Sequence, residues 1–316
     1  MSLTIAFVMG PLDRVVPEVD TTFAFMLAAH RRGHRVVHVL PRDIGLDGNL
    51  CTLGGNVVSV KDSVEKPFEV VENTSLLASD CAAIFIRTDP PFDQEYLTVT
   101  WMLSFAERAG VRCINSPSGL RAANEKLYAL EFADLCPKTM VTASRTRIVD
   151  FIRTVEGEAV VKPVDGHGGF GVVRLHAGDT NINAIVDMLT LEGKQATIAQ
   201  EYVPEAAQGD KRLFVIDGEL RGAVMRVPGE DDHRSNIHVG GHAEACPITD
   251  RDRQIVAVLS KRLKEDGLYF VGLDILGGML SEVNVTSPTL VRELAELGGP
   301  DLAGEVITSV EATAPR

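Results

Sequence analysis

Apolar and polar positions alternate between two periods along the first third of the chain. "LTIAFVM" (3–9), "RVVHVL" (35–40), "CAAIFIR" (81–87) and "VRCIN" (111–115) are short apolar runs of strand length. Between them lie "TTFAFMLAAHRRG", helical in spacing with Gly33 as its stop, and a second helical stretch over about 94–109. Strand–helix alternation of this kind predicts a parallel sheet with helices on its faces. Residues 41–79 are irregular and their order stays open, and "NSPSG" (115–119) closes the unit.

A second pattern follows. "NEKLYALEFADL" (124–135) reads as a helix, "AVVKPVDG", "FGVVRL" and "ATIAQEYV" read as strands, and a helix falls near 181–191. "KRLFVIDGELRGAVMRV" predicts a hairpin turning at Asp217-Gly218. After it come a polar loop, a helix over 249–265, a last hairpin and a helical carboxy-terminal segment.

That last hairpin, "YFVGLDILGGMLSEVNVTSP", carries Asp274, Glu282 and Asn284 inside runs of buried character. An unpaired carboxylate in such a place costs several kcal/mol or takes up a proton. Glu282 and Asn284 share one face by strand alternation, and the turn decides where Asp274 points. A two-residue turn at Gly277-Gly278 sends Asp274 and Glu282 to opposite faces, whereas a three-residue loop sets them opposite each other on one face. In the second register three oxygen donors converge, a set that suits Mg²⁺ beside substrate phosphates; the alternative is an edge hairpin with its carboxylates in water.

"VVKPVDGHGGFGVVR" (160–174) is strand, glycine-rich turn and strand. Gly166, Gly168, Gly169 and Gly171 allow backbone N–H groups to cradle anionic oxygens, and Lys162 offers a point charge for phosphate. No G-K-[ST] follows and the turn opens no helix, so this is not a Walker A loop; alone it also reads as an ordinary hairpin. Lys126, alone, reads as a solvated helix lysine.

Composition narrows the classes. A chain of 316 residues suits two or three subdomains, and 45% hydrophobic with 24% charged residues is globular. A formal charge of −13 with pI near 5.1 argues against nucleic acid as a partner. No apolar run is long enough to span a bilayer, and the first residues run straight into a strand rather than a signal peptide, so a cytoplasmic, membrane-free protein is expected. Five scattered cysteines without a C-x-x-C read as reduced thiols.

Taken in order, "NEKL", "VVKPVDGHGG", "QEYV", "GDKRLFVIDGE", "GLDI" and "EVNVTSPT", with "RTDPPFD" and "NSPSGLRAANEKL" before them, resemble the ATP-grasp superfamily and within it the bacterial glutathione synthetases, over nearly the whole chain. The resemblance implies an α/β (α+β ATP-grasp) fold: an amino-terminal parallel-sheet α/β substrate domain (1–122), an ATP-grasp subdomain with the glycine-rich loop (123–202), and a carboxy-terminal ATP-grasp subdomain (203–316) with the metal site and a mobile loop at 227–243. It implies a ligase joining γ-glutamylcysteine to glycine through an acyl phosphate, using ATP and two Mg²⁺ ions, with Mn²⁺ an alternative, in a homo-oligomer, a tetramer by resemblance. Lys126 and Lys162 would contact the phosphates, and the 166–171 turn would fold over them. Glu201, Tyr202 and Val203 would form the adenine-reading hinge, with Asp210 near the ribose. Asp274, Glu282 and Asn284 would hold the metal. Arg212 would act at the phosphoryl group, Arg226 and Arg234 at the acyl phosphate, and Arg87, Asp89, Ser287 and Thr289 at the substrates. No cysteine or histidine is expected to act in catalysis.

The long loop departs from the pattern: His242 stands where a second arginine is expected, and "GEDD" is acidic for a cover over anions. These departures leave the acceptor open, so another carboxylate–amine ligase, or an ATP-binding module without chemistry, stands beside the first reading. Residues 228–240, with little to bury, are expected to form a lid that orders over bound substrates.

Overall fold

The structure is a computed structural model that describes residues 2–155, 157–166, 168–228 and 241–314. Thr4–Val8 is paired in parallel with Arg35–Val39 on one side and Ala83–Ile86 on the other, and Arg112–Ile114 continues the parallel sheet. These runs are buried on both faces, as strands covered by helices must be. Helix Thr21–Arg31 starts at Asp20, whose carboxylate accepts from Phe23 N at 2.6 Å, and helix Gln94–Arg108 starts at Asp93, which accepts from Tyr96 N at 2.9 Å.

Residues 41–79 are more regular than their sequence. Leu50–Val60 and Phe68–Leu77 form a long antiparallel hairpin, and Ile44–Asp47 and Arg35–Val39 pair in succession along the inner edge of Leu50–Val60. The amino-terminal sheet is therefore mixed rather than wholly parallel. Its outer strand is exposed along most of its length, which removes the apolar alternation that would have revealed it.

Residues 124–135 correct a second expectation. They form 3-10 turns over Tyr128–Leu135 with a break at Phe132, not an α-helix. Asn124 Oδ1 accepts from the Lys126 and Leu127 amides at 3.2 and 3.0 Å, a local side-chain turn that competes with helix formation. Strand Thr139–Thr142 and helix Arg145–Thr154, which the sequence patterns left unassigned, complete the middle unit. Its sheet runs Val173–His176, Glu158–Pro163, Thr197–Glu201, Thr139–Thr142.

The third sheet runs His242–Ala245, Glu219–Val227, Asp210–Ile216, Phe270–Leu276, Met279–Asn284. The expected turn at Asp217-Gly218 joins its second and third strands. Leu213, Val215, Leu273 and Val283 share an apolar cluster with Ile255 and Leu259 of helix Asp250–Glu265. Phe214, Ile216 and Phe270 cluster instead with Phe7, Phe25 and Phe85 of the amino-terminal unit. The middle unit keeps a separate core around Ile148, Ile152, Val161 and Val186. Two units are thus welded together and the third is packed as a body of its own.

One carboxylate in this frame sits at a cost. Glu293, on helix Val291–Glu296, has a buried Oε2 without a hydrogen-bond partner among the described residues. Burial pushes its carboxyl up to about 7. The fold therefore keeps a proton that the unfolded chain releases near its lower, ordinary value. The stability this provides is complete below that value and is lost as pH rises through about 7. Glu293→Gln is expected to raise stability at pH 8 by about 1 kcal/mol, discounted for the part of the group in water, and to change little at about pH 4, below the ordinary carboxyl value. Thermal melts at the two pH values check it.

Candidate active site

The face of the third sheet opposite helix Asp250–Glu265 gathers charge. Arg212 is cross-strand from Asp274, Asp210 from Arg226, and Asp274 from Glu282. Gly277 and Gly278, at φ +54° and +77°, make a two-residue turn that pairs Leu276 with Met279. By simple alternation this turn would part Asp274 from Glu282. A bulge at Ser281 adds one residue to the returning strand and restores the pairing, so the expected convergence arises from a turn and a bulge rather than from a three-residue loop.

Asp274 is 5% exposed and bracketed by two guanidiniums. Arg212 donates from Nε at 2.5 Å and from Nη2 at 3.1 Å, and Arg226 Nη2 lies 2.8 Å from Oδ2. Burial alone would push the carboxyl up; Arg212 and then Arg226 outweigh it and hold Asp274 well below the usual carboxylate range. Arg226 also donates to both oxygens of Asp210, from Nε at 2.7 Å and from Nη2. The chain Asp210–Arg226–Asp274–Arg212 is a buried, charge-balanced row across three strands. Gly272 leaves space for it: a Cβ there would meet Arg212 Cδ at 2.8 Å.

Glu282 faces the middle unit. Lys162 Nζ lies 3.4 Å and Lys126 Nζ 3.9 Å from its Oε1, longer than the ~2.8 Å of a closed charge-assisted bond. Its side chain keeps 25% exposure, so it remains open to a cation. Asn284 Nδ2 approaches Gly272 O at 3.4 Å. Asp274, Glu282 and Asn284 carry hard oxygen donors of the kind a divalent cation such as Mg²⁺ takes, but both Asp274 oxygens are held by Arg212 and Arg226, so a cation there would have to displace a guanidinium.

Lys126 also donates to Gly166 O, tying the lysine to the glycine-rich turn. Gly168, Gly169 and Gly171 all take positive φ, from +63° to +76°, a conformation that glycine adopts without the cost a side chain would bring. Glu201 ends the inner strand Thr197–Glu201 of the middle sheet and Tyr202 and Val203 follow it; the Arg174 guanidinium lies 3.8 Å over the Tyr202 ring. Val203 packs beneath the Gly277 turn, where a Cβ on Gly277 would meet Val203 Cγ1 at 2.9 Å.

The substrate candidates divide. Arg87 is 4% exposed, donates to Thr22 Oγ1 at 3.1 Å and Pro288 O at 2.9 Å, and lies between Phe25 and Phe270. It is a buried hub rather than a strand-end arginine in water. Asp89 is exposed, and Ser287 and Thr289 are half-buried beside Pro288. His242 is an exposed surface residue bonded to Glu244 at 2.9 Å. Arg234 and the proposed lid over 228–240 fall, from residue 229 onward, outside the described residues.

Two residues that the sequence patterns passed over hold the site together. Glu125 Oε1 accepts from Val285 N at 2.8 Å, Thr286 N at 3.0 Å and Thr286 Oγ1 at 2.8 Å, fixing the strand that carries Glu282. Asn115, 4% exposed, donates to Phe270 O and Val285 O and accepts from Phe270 N. The one signal in the sequence for Glu125 is its place before Lys126 in "NEKL".

Solved structures share this fold over almost the whole chain. A D-cycloserine synthetase superposes with TM-score 0.69 at 17% identity, covering 98% of this chain and 99% of that one. The ATP-grasp ligase PsnB with its minimal precursor superposes with TM-score 0.66 at 18% identity, covering 99% and 100%. With two lysines and a carboxylate pair meeting across its cleft, the chain has the ATP-grasp fold. The models of the prokaryotic glutathione synthetase amino-terminal domain and ATP-grasp domain match residues 3–121 and 125–299. Curated glutathione synthetases of Synechococcus elongatus and Xanthomonas campestris pv. campestris are 41% and 40% identical, covering 98% and 99% of this chain and the same shares of theirs. The chain belongs to the prokaryotic glutathione synthetase family, a family of ATP-dependent carbon–nitrogen ligases that use a divalent metal.

Proposed function

We propose that the chain joins γ-glutamylcysteine to glycine at the expense of ATP, through an acyl phosphate. The relatives supply the substrates; the observation that carries the chemistry is the meeting of Lys126 and Lys162 with Glu282, beside Asp274, across the cleft. The reacting carboxylate and the γ-phosphate are both anions, so the site must offset their repulsion before they meet. Two Mg²⁺ ions, or Mn²⁺, held by Asp274, Glu282 and Asn284 would neutralise charge on the phosphate oxygens. Lys126 and Lys162 orient the phosphates, and the Gly166, Gly168, Gly169 and Gly171 turn covers them. Glu201, Tyr202 and Val203 border the adenine, with Asp210 at the ribose side. Arg212 meets the transferring phosphoryl group, and Arg226 and Arg234 the acyl phosphate, while Arg87, Asp89, Ser287 and Thr289 hold the substrates. Arg212 is paired with Asp274, and Arg226 with both Asp274 and Asp210, so substrate contacts there require exchange of partners.

The chain is read as three units, 1–122, 123–202 and 203–316, working as a cytoplasmic homotetramer. No helix among the described residues is long and apolar enough to cross a membrane.

With ¹⁸O in the cysteinyl carboxylate of the dipeptide, one labelled oxygen should appear in the released phosphate; unlabelled phosphate would rule out the acyl phosphate. Lys162→Met keeps the apolar stem and loses the ammonium. It is expected to lower kcat/KM for ATP by ~10-fold or more, about 1.4 kcal/mol upward. Steady-state kinetics with ATP varied check it.

A further inference from the structure

Met279–Asn284, which carries Glu282 and Asn284, is the last strand of its sheet among the described residues. The outward N–H groups of such an edge strand ordinarily face water or another chain. Here one residue takes them. Glu125 accepts from Val283 N through its backbone carbonyl at 2.9 Å, and through Oε1 from Val285 N at 2.8 Å, Thr286 N at 3.0 Å and Thr286 Oγ1 at 2.8 Å. N–H groups two positions apart point the same way, so this carbonyl and carboxylate together stand in for a missing neighbour strand. Asn115 takes the other polar group of Val285, donating to its carbonyl at 2.8 Å. The chain that leaves Asn284 is thus held by the segment that leads into Lys126.

The consequence lies across the cleft. Lys126 Nζ faces Glu282 Oε1 at 3.9 Å, and the ammonium donates instead to Gly166 O. Opposite charges attract, and a shift of about 1 Å would close the pair to the ~2.8 Å of a charge-assisted bond. The bonds to Glu125 oppose that shift, because they fix the main chain on both sides of the gap: residues 283–286 on one, residue 125 on the other. A closed pair would leave Glu282 with less charge to offer a metal ion.

We propose that Glu125 is a positioning residue whose clamp holds the Glu282 carboxylate and the Lys126 ammonium apart, keeping Glu282 available to a divalent cation. It acts through Glu282 rather than on the reactants. The inference rests on the reading of Glu282 as a metal ligand and not on the identity of either substrate.

The test is Mn²⁺ binding in the presence of ADP, followed by electron paramagnetic resonance, with thermal melts alongside. Glu125→Ala should weaken Mn²⁺ binding by ~10-fold or more. Glu125→Gln, whose amide oxygen still accepts from the same three donors, should stay within ~3-fold of wild type. In a Glu282→Gln background, adding Glu125→Ala should cost under ~2-fold, because the group it positions has already lost its charge. A brace of the fold alone lowers the melting temperature in both backgrounds and leaves the Mn²⁺ affinity where it was. Should Glu125→Ala fail to fold, Thr286→Val removes one of the three donors at nearly constant volume and should weaken Mn²⁺ binding by ~3-fold. Unchanged Mn²⁺ affinity in the variant that folds, or an equal loss in both backgrounds, overturns the inference. Because no turnover is read, a different donor or acceptor leaves the result standing. Wild type that binds no Mn²⁺ refutes the metal reading, and the inference falls with it.

Discussion

Glu282→Gln is expected to lower kcat by roughly 100-fold or more while the protein melts within a few degrees of wild type. The substitution keeps the volume and one oxygen and removes the charge that faces Lys162 and Lys126 across the cleft. Because the carboxylate is partly in water and its lysine partners stand at 3.4 and 3.9 Å, it contributes little to the fold, under about 1 kcal/mol. On the proposed reading, its contribution is to hold cationic charge at the phosphates during transfer. Turnover measured beside thermal melts separates the two effects; equal kcat in the variant would return Glu282 to the status of an edge carboxylate.

Asp274→Asn should behave differently, although its neighbour across the strand pair is Glu282. Asp274 is buried and is the shared partner of Arg212 and Arg226, so the amide leaves two guanidiniums in a dry site with one carboxylate, Asp210, between them. Loss of one member of a buried charge row typically costs about 3–5 kcal/mol, enough to lower the melting temperature by several degrees as well as to abolish turnover. The pH dependence carries the same signature. Asp274 is held below the ordinary carboxylate range, so its stabilisation is present above the unfolded value, near ~3.9, and is lost as pH falls through the folded one. Melts between pH 5 and pH 2 should fall less steeply in Asp274→Asn than in wild type; parallel curves would remove Asp274 from the row's energetics.

The sequence spoke most clearly where one local rule governed the outcome. Apolar runs of strand length and the stop at Gly33 located the parallel core, and the Asp217-Gly218 turn was legible because both residues must take positive φ. Asp274 and Glu282 show the limit. Gly277-Gly278 marks the turn, but the bulge at Ser281 that reunites the carboxylates depends on packing of Leu280 and Val283 against residues distant in sequence. Residues 124–135 misled because their apolar spacing suits a helix while Asn124 and the Glu125 clamp impose turns. The charge row was legible in its members and not in its pairings: Asp210 and Arg226 are sixteen positions apart and meet only through strand register.

The most direct test of the account is a phosphate-release assay with ATP and Mg²⁺ in which donor and amine acceptor are varied independently. The account predicts release with γ-glutamylcysteine and glycine together, one phosphate per tripeptide formed, and little with either alone or with bulkier amino acids as acceptor. Release with a different donor, or the same rate across the panel of acceptors, would contradict it.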